Sequence, residues 1–482
     1  MSNKKDLHFT GPELCRLEAH EVVGMLKKGE VSTDELLKAS YSRLAAVEPD
    51  INTTPTLCES RAYEASTALN RNNKDHPGWL GGLPISIKDL TPVKGVCTTF
   101  GTKGLANFIP GDSDPLVERL ENRGAVVIGK TNTPELGAGG NTFNDVFGPT
   151  LNPWDTSLNA GGSSGGAAAT LATGGVWLSH GSDHGGSLRT PAAYCGIVGL
   201  RPSPGRAGGS SKDMGFNIEG VQGPMARSVR DCALFLDAMA GQDPRQPISY
   251  PSPDQPFQDA VLQANGKLNI AFSIDLNGLS PVDTEMESHL RGVLSQLEKN
   301  GATVDEICPD LSNLERTYHS LRGCLWATVV KRMPADITQH FKKTLADNAT
   351  FGQALSIDDF VEASLDRSVI YNNMLGLFDR FDVLACPVVG CMPHLQSEEW
   401  VSEIGGKTLV GYMDWLRFAF LATVTGLPAI SVPCGLGPRR LPVGLQLIGK
   451  PRGEAQLLAA ARAVEIATGG PMTPIDPNVV VL

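Results

Sequence analysis

A chain of 482 residues, 41% hydrophobic and 19% charged, has an ordinary globular composition and is long enough for one large α/β unit or two to three smaller domains. Its net charge of −11 argues against nucleic acid and anionic membrane surfaces as partners, because both require basic patches. Ten cysteines without C-x-x-C spacing and an N-terminus without an apolar segment predict a reduced, cytoplasmic protein.

The N-terminal part of the chain, about residues 10–75, is predicted to be helical. Ser32 and Glu35 stand at the spacing of a capping box. Apolar residues then recur at helical spacing, at Leu37, Tyr41 and Leu44. Pro49 is expected to end this helix, and a further helix is predicted over 61–70. We interpret the segment as a scaffold that packs on a larger body.

A short strand is predicted at 83–87, where apolar residues alternate, and Lys88 stands where that run stops. A lysine at a strand end normally faces solvent, so this pattern alone gives Lys88 no special role. A helix over 114–122 and a strand over 125–128 are predicted next. This part of the chain therefore alternates strands with helices.

Residues 124–131 match the written pattern of a phosphate-binding loop, G-x-x-x-x-G-K-[ST]. The four middle residues are an apolar β-type run instead of a loop. Pro134 also disfavours the helix whose N-terminus would have to face the phosphate. The pattern is therefore interpreted as a strand, and nucleotide binding is not predicted.

The central stretch, residues 159–206, holds two serines bracketed by glycines, Ser163 and Ser187. No charged residue occurs from 156 to 182, which predicts burial. Glycines let the backbone bend sharply and bring its N–H groups close to a ligand, and converging N–H groups stabilise a developing oxyanion. One glycine cluster alone is more often a tight turn, but two clusters favour a site. We interpret Ser187 as a nucleophile and Ser163 as its proton-transfer partner.

The second half of the chain continues to alternate strands with helices. Residues 243–256 are rich in proline and form the best linker candidate, and residues 311–380 are predicted to be mainly helical. A strand at 442–449 and a helix at 454–467 close the pattern. Such alternation over the whole length predicts an α/β protein with a large sheet and helices on both faces.

Two other serine chemistries have to be considered. His184 lies in a tight loop three residues before Ser187, where its backbone N–H is better placed than its ring, and His180 is interpreted as a core histidine. Residues 161–165 also fit the G-x-S-x-G nucleophile elbow of α/β-hydrolase esterases. That alternative needs an acid and then a histidine downstream, and no downstream histidine has a distinctive sequence setting. It also leaves residues 181–189 without a role.

These motifs together resemble the amidase signature family. The resemblance is carried by G-S-S-G-G at 162–166, G-S-D-H-G-G-S-L-R at 181–189, G-L-P-I-S-I-K-D at 82–89, P-A-I-S-V-P at 428–433 and L-P-V-G-L-Q-L-I-G at 441–449. It extends over about residues 15–470. The resemblance implies one domain over 1–482 with a mixed central sheet flanked by helices, a catalytic core at about 80–240 and a peripheral helical pocket region at about 280–400.

The resemblance also implies roles for individual residues. Ser187 would be the acylated nucleophile, Ser163, preceded by a cis peptide, would relay its proton, and Lys88 would be the general base. The oxyanion hole would be formed by backbone N–H groups of His184, Gly185, Gly186 and Ser187. The supporting residues would be Ser164, Asp183 and Arg189. No metal or organic cofactor is implied.

A lysine can act as a base only when it is neutral, and burial lowers its pKa by up to ~3–5 units. The uncharged central stretch is consistent with such burial. The glycine-rich loop of Gly137, Ala138, Gly139 and Gly140 is predicted to line a roomy substrate pocket. The remaining pocket walls are expected from 131–150, 203–222 and 311–400. Two departures from the family pattern, His184 and Arg201 (where lysine is usual), leave the three catalytic positions intact.

The predicted activity is hydrolysis of a carboxamide or a related anilide or carbamate through an acyl-enzyme at Ser187. The predicted partner is a small-molecule substrate, without nucleic acid or membrane, and a homodimer is possible. The alternative is the glutaminase component of a tRNA-dependent amidotransferase, which would need its partner for turnover. The acidic chain without an evident docking tail favours a stand-alone enzyme.

Overall fold

Eleven strands form one central sheet in the computed structural model, which describes residues 8–69, 73–208 and 214–480. Parts of the N-terminal segment, of the helix predicted over 61–70 and of the pocket loop at 203–222 lie outside these described residues. The strands, in chain order, are Thr56–Leu57 (β1), Leu83–Lys88 (β2), Ala125–Thr131 (β3), Phe143–Asn144 (β4), Gly148–Pro149 (β5), Leu151–Asn152 (β6), Asp155–Asn159 (β7), Leu178–Asp183 (β8), Val198–Arg201 (β9), Val221–Ala226 (β10), Asn269–Phe272 (β11), Thr303–Glu306 (β12), Val383–Pro387 (β13), Glu403–Ile404 (β14), Lys407–Thr408 (β15), Ala429–Leu436 (β16) and Pro442–Gly449 (β17).

The sheet is mixed, as predicted. Its strand order is β1-β3-β2-β8-β10-β9-β16-β17-β13-β11-β12. Strands β3, β2 and β8 run parallel to one another, as do β13, β11 and β12, and the strands between these two groups pair antiparallel. The N-terminal and C-terminal parts of the chain meet where β9 pairs with β16.

Helices surround this sheet. In chain order they are Glu13–Arg16 (α1), Ala19–Lys28 (α2), Thr33–Ile51 (α3), Glu59–Thr67 (α4), Pro115–Asn122 (α5), Gly165–Ala172 (α6), Arg189–Cys195 (α7), Val229–Met239 (α8), Phe257–Leu262 (α9), Thr284–Lys299 (α10), Leu314–Arg332 (α11), Ala335–Thr338 (α12), Lys343–Ala354 (α13), Ile357–Phe378 (α14), Phe420–Thr425 (α15) and Glu454–Ala467 (α16). In the described parts of the chain, every helix is too short or too polar to span a lipid bilayer.

Alternate residues of β3 show why both faces of the sheet are covered. Val127 joins an apolar core that includes Leu116 and Leu120 of α5. Its neighbours Val126 and Ile128 join a different core, built with residues of α3 and α6. Because successive strand residues point to opposite faces, the two cores lie on opposite sides of the sheet.

Three predicted boundaries differ from the structure. Helix α3 passes Pro49 and ends at Ile51, because a proline in the last turn removes only the hydrogen bond of its own nitrogen. Strand β3 extends to Thr131, so residues 125–131 of the phosphate-loop pattern all lie in a strand, and Gly124 directly precedes it. The linker candidate 243–256 packs on the body, where the ring of Tyr250 lies 4.3 Å from the Arg206 guanidinium.

Candidate active site

The site lies where two parallel strands end. Lys88 is the last residue of β2 and Asp183 the last residue of β8, which pairs with β2 in parallel. The carboxyl ends of parallel strands meet at one edge of a sheet, where α/β proteins bind ligands. Ser163 lies in the turn that leads into α6, and Ser187 lies in the turn between β8 and α7. The topology therefore brings both glycine-bracketed serines to the edge that carries Lys88.

The Lys88 amine is fully buried among three serine hydroxyls. Its Nζ donates to Ser163 Oγ at 2.7 Å, to Ser164 Oγ at 2.8 Å and to Ser182 Oγ at 3.1 Å. Burial lowers the pKa of Lys88 from 10.5 to about 7, and the carboxylate of Asp183 opposes that shift. The neutral amine is therefore far more accessible near pH 7 than it is in an ordinary lysine. The expectation that a lysine at a strand end faces solvent is wrong here.

The predicted substrate-binding loop of Gly137, Ala138, Gly139 and Gly140 packs beside Ser163. The Gly162–Ser163 peptide bond is cis. A Cβ added to Gly162 would lie 3.0–3.1 Å from backbone atoms of residues 139–141. A Cβ added to Gly137 would lie 3.4 Å from Ser163 Oγ. Glycines at both positions thus permit the loop to approach the Ser163 hydroxyl closely.

Ser187 has a different setting from Ser163 and Ser164, whose hydroxyls contact the Lys88 amine. Ser187 is 8% exposed, and no described residue hydrogen-bonds to its hydroxyl, which leaves that group free for a substrate. The backbone is fixed, since the Ser164 N–H donates to the Ser187 carbonyl at 3.2 Å. The segment of residues 163–164 therefore positions the nucleophile candidate through the main chain.

The four predicted oxyanion donors are not equivalent. The Gly186 N–H donates to Asp183 Oδ1 at 3.1 Å, a short-range bond that aspartate side chains commonly make to the backbone of a turn. The N–H groups of His184, Gly185 and Ser187 have no such partner among the described residues. A candidate oxyanion hole in this structure therefore rests on those three groups, with Gly186 shaping the turn at φ +95°.

Asp183 ties this turn to two buried arginines. It accepts from Leu188 N–H at 3.0 Å and from Arg189 Nη2 at 2.9 Å. Arg201 Nη1 lies 3.3 Å from the same carboxylate and donates to the Asp183 carbonyl at 2.7 Å. The arginines hold the pKa of Asp183 well below its usual range, although burial opposes them. The turn that carries Ser187 is thus anchored by an ionised carboxylate.

Several residues of the site were not predicted from the sequence. Ser182 contacts the Lys88 amine, and Gln446 accepts from Arg189 Nη1 at 2.6 Å. Arg201 was noted only as a departure from the family pattern, yet it contacts Asp183. Lys130, the lysine of the rejected phosphate-loop pattern, is buried 3.3 Å from Asp89. Of these, Ser182 alone had a local signal, because it adjoins Asp183 in the second glycine cluster.

The histidines are not placed as bases. His180 is buried, its Nε2 lies 2.7 Å from Gln222 Oε1, and its Nδ1 accepts from the Lys88 N–H at 3.4 Å. The His184 ring packs edge-on against Tyr318, with 5.8 Å between ring centroids. Within the described residues no histidine hydrogen-bonds to Ser163 or Ser187. The geometry accordingly does not support a serine–histidine pair or a nucleophile elbow at 161–165.

The low pKa of Lys88 predicts a pH-dependent stability difference between the wild-type protein and a Lys88→Met variant. Between about pH 7 and 10.5 the unfolded chain binds a proton at this amine that the folded chain does not. The penalty of the buried amine is therefore full below about pH 7 and fades as the pH rises. The wild type should gain up to about 1.4 kcal/mol of unfolding free energy per pH unit relative to the variant.

Urea unfolding at about pH 7, 8 and 9 measures this difference. Lys103→Met is the matched control, because the Lys103 side chain is 54% exposed in a surface ion pair with Asp145. Its unfolding free energy should follow the wild type at every pH. Parallel curves for wild type and Lys88→Met would contradict a depressed Lys88 pKa.

Comparison with known proteins assigns the chain to a family. The model of the Amidase family matches residues 35–458. A glutamyl-tRNA(Gln) amidotransferase subunit from Anaeromyxobacter dehalogenans (strain 2CP-C) is 33% identical over 495 residues, covering 96% of this chain and 99% of the relative.

Solved structures are similar over nearly their full length. A bacterial aryl acylamidase of the amidase signature family has a TM-score of 0.85 at 28% identity, covering 94% of this chain and 96% of that one. The 6-aminohexanoate cyclic dimer hydrolase has a TM-score of 0.84 at 25% identity, covering 94% and 97%. The family match and the sequence relative together show that this chain belongs to the amidase signature family, enzymes that act on carbon–nitrogen bonds.

Proposed function

We propose that the protein hydrolyses a small carboxamide, anilide or carbamate without a partner protein, and that Ser187, Ser163 and Lys88 perform the reaction. The observation that carries this proposal is the buried Lys88 amine, 2.7 Å from Ser163 Oγ and with a pKa of about 7. A base is most effective when its pKa lies near the working pH. An ordinary lysine, almost wholly protonated at neutral pH, could not serve.

The proposed reaction starts with a proton relay. Ser187 Oγ has no hydrogen-bond partner among the described residues, so this step requires it to form a hydrogen bond to Ser163 as it attacks the carbonyl carbon. Its proton then passes to Ser163, whose own proton passes to neutral Lys88. The carbonyl becomes an oxyanion that the N–H groups of His184, Gly185 and Ser187 stabilise. Lys88 then returns its proton through Ser163 to the substrate nitrogen, the C–N bond breaks, and the amine leaves.

The acyl-enzyme is then hydrolysed by the same groups. A water attacks the Ser187 ester, giving one proton through Ser163 to Lys88, and the proton returns to Ser187 Oγ as the acid product leaves. The net reaction consumes one amide and one water and yields one acid and one amine. Asp183 and Arg189 support the site by holding the turn, and the loop at 137–140 is proposed to contact the substrate.

A second candidate is glutaminase activity within an amidotransferase complex. It is favoured by one finding, the similarity to glutamyl-tRNA(Gln) amidotransferase subunits over nearly their whole length. That similarity is matched by the similarity to an aryl acylamidase and to a cyclic dimer hydrolase. The two candidates differ in whether the chain turns over a substrate alone.

A substrate panel separates the two candidates. We expect the purified chain to hydrolyse at least one of a 4-nitroanilide, a simple carboxamide and an aryl carbamate. An aryl carbamate can also react by losing its phenol, so that the C–O bond breaks and a carbamoyl group stays on Ser187. Carbamoyl-enzymes hydrolyse slowly, so this group should be seen as a mass increase of the Ser187 peptide. The adduct should be absent in Ser187→Ala and present in the control Ser66→Ala, whose hydroxyl lies on α4 and bonds to Asp34.

Two outcomes would contradict the proposal. Turnover of glutamine and of no other substrate, or turnover only when a partner protein is added, would favour the amidotransferase candidate. An adduct on a residue other than Ser187 would contradict the role of Ser187 as the nucleophile. A cytoplasmic location and a homodimer stay predictions. Size-exclusion chromatography tests the homodimer.

A further inference from the structure

Most of the buried arginines that the structure describes contact a carboxylate. Six arginine residues among those that the structure describes are at most 6% exposed. Four contact a carboxylate: Arg43 with Asp476, Arg189 and Arg201 with Asp183, and Arg206 with Glu454. A fifth, Arg227, donates to the backbone carbonyls of Leu17 and Val176. The sixth, Arg322 on α11, has neither kind of partner.

Arg322 is held only by neutral side chains. Its Nη2 donates to Tyr412 Oη at 2.6 Å and its Nε to Asn348 Oδ1 at 3.3 Å. Its guanidinium also lies 5.4 Å from the Trp326 ring centroid. Among the residues that the structure describes, no Asp or Glu oxygen lies within 4.0 Å of its nitrogens. Removing an unpaired charge from water is costly, so such a guanidinium is suited to an anionic ligand.

Arg322 lies one helical turn beyond Tyr318, which contacts the turn that carries Ser187. Tyr318, one helical turn earlier on α11, is so close to that turn that a Cβ added to Gly185 would lie 2.5 Å from its hydroxyl. The His184 ring packs against Tyr318, and both of its nitrogens are buried without a hydrogen-bond partner. After burial, the charge of Arg322 is the largest cause that lowers the pKa of His184.

We infer that Arg322, with the neutral His184 ring beside it, recognises a carboxylate on the substrate. The inference rests on the proposed hydrolysis at Ser187 and names the substrate class: amides that carry an anionic carboxylate within reach of the acyl carbon. The Arg322 guanidinium would donate to the carboxylate oxygens, and its Tyr412 and Asn348 contacts would hold it in place. Charged hydrogen bonds of this kind change affinity by about 10- to 100-fold.

Matched substrate pairs test this inference. In one pair the charge is on the acyl side, glutaryl 4-nitroanilide against pentanoyl 4-nitroanilide. In the other it is on the leaving group, 4-acetamidobenzoate against 4-acetamidotoluene. For one of the two pairs, the wild-type enzyme should have a kcat/KM about 10- to 100-fold higher for the acid, and Arg322→Met should lose at least about tenfold of that ratio.

The matched control is Arg316→Met, the same change on the same helix. Arg316 is half-exposed and paired with Asp366, so its substitution should leave the acid-to-neutral ratio at the wild-type value. The inference is overturned if the wild type prefers the neutral member of both pairs, or if the preference for the acid survives in Arg322→Met.

A binding measurement separates this inference from the proposed function. Glutarate should quench the fluorescence of the neighbouring Trp326 saturably in the catalytically inactive Ser187→Ala variant. The quench should be lost in Ser187→Ala/Arg322→Met and retained in Ser187→Ala/Arg316→Met. Loss in the first double variant supports the carboxylate site even if no amide is hydrolysed, and equal quenching in both double variants refutes it.

Discussion

Replacing Lys88 by methionine is expected to lower kcat/KM by at least about 10³-fold while the protein stays folded. Methionine preserves the length and apolar stem of lysine but offers no nitrogen to accept a proton. Ser163 would then have no base, and the Ser187 hydroxyl would attack without losing its proton. The rates are measured with the best substrate of the panel, and circular dichroism checks the fold.

The pH profile distinguishes a lost base from a disturbed pocket. The wild-type kcat/KM should rise as the pH increases through about 7 and then level off, because only the neutral form of Lys88 accepts a proton. Lys88→Met should lack this rise. Lys103→Met, changed on the surface, should keep both the wild-type rate and the rise. A folded Lys88→Met enzyme with near wild-type turnover would rule out Lys88 as the base.

Elements governed by local sequence were predictable. The helix at 454–467 and the strand at 442–449 have the predicted bounds, because long periodic runs define them without reference to the rest of the chain. The capping box of Ser32 and Glu35 is present, with both reciprocal bonds formed. The false phosphate-loop pattern was also recognised correctly, since a β-type apolar run cannot form a loop that binds phosphate.

Contacts between distant segments were not predictable from one sequence. The strand order places β9 beside β16, more than 200 residues later, and no local pattern encodes that pairing. The contact of Arg201 with Asp183 depends on two other pairings, because β10 lies between β8, which ends at Asp183, and β9, which ends at Arg201. Arg322 could not be singled out from the sequence for the same reason. What distinguishes it is that no described carboxylate lies beside it, and the residues that surround it are known only from the fold. Motifs therefore predicted the serines and Lys88 as site residues, while the charged residues around them could be located only in the folded structure.

The second large effect is expected for Asp183→Asn, which should destabilise the protein by about 3–5 kcal/mol. Asparagine keeps the shape of the side chain but removes the charge that compensates Arg189 and Arg201, both fully buried. The folded-state pKa of Asp183 is lowered, so its stabilisation is full above the ordinary carboxyl pKa and is lost only as the pH falls through the lower folded value. Urea unfolding at pH 7 therefore measures the whole effect.

Two further variants test whether charge is the cause. Asp305→Asn makes the same change in a half-exposed pair with Arg380 and should cost less than about 0.5 kcal/mol. In Asp183→Asn/Arg201→Met one of the uncompensated charges is gone, so the double variant should be more stable than the sum of its parts by about 1–3 kcal/mol. Additive losses would mean that Asp183 acts through its bonds to Gly186 and Leu188 instead. Those same bonds shape the turn that carries Ser187, so kcat should fall in Asp183→Asn. If the double variant recovers both kcat and stability, the charges of Asp183, Arg189 and Arg201 control the position of Ser187.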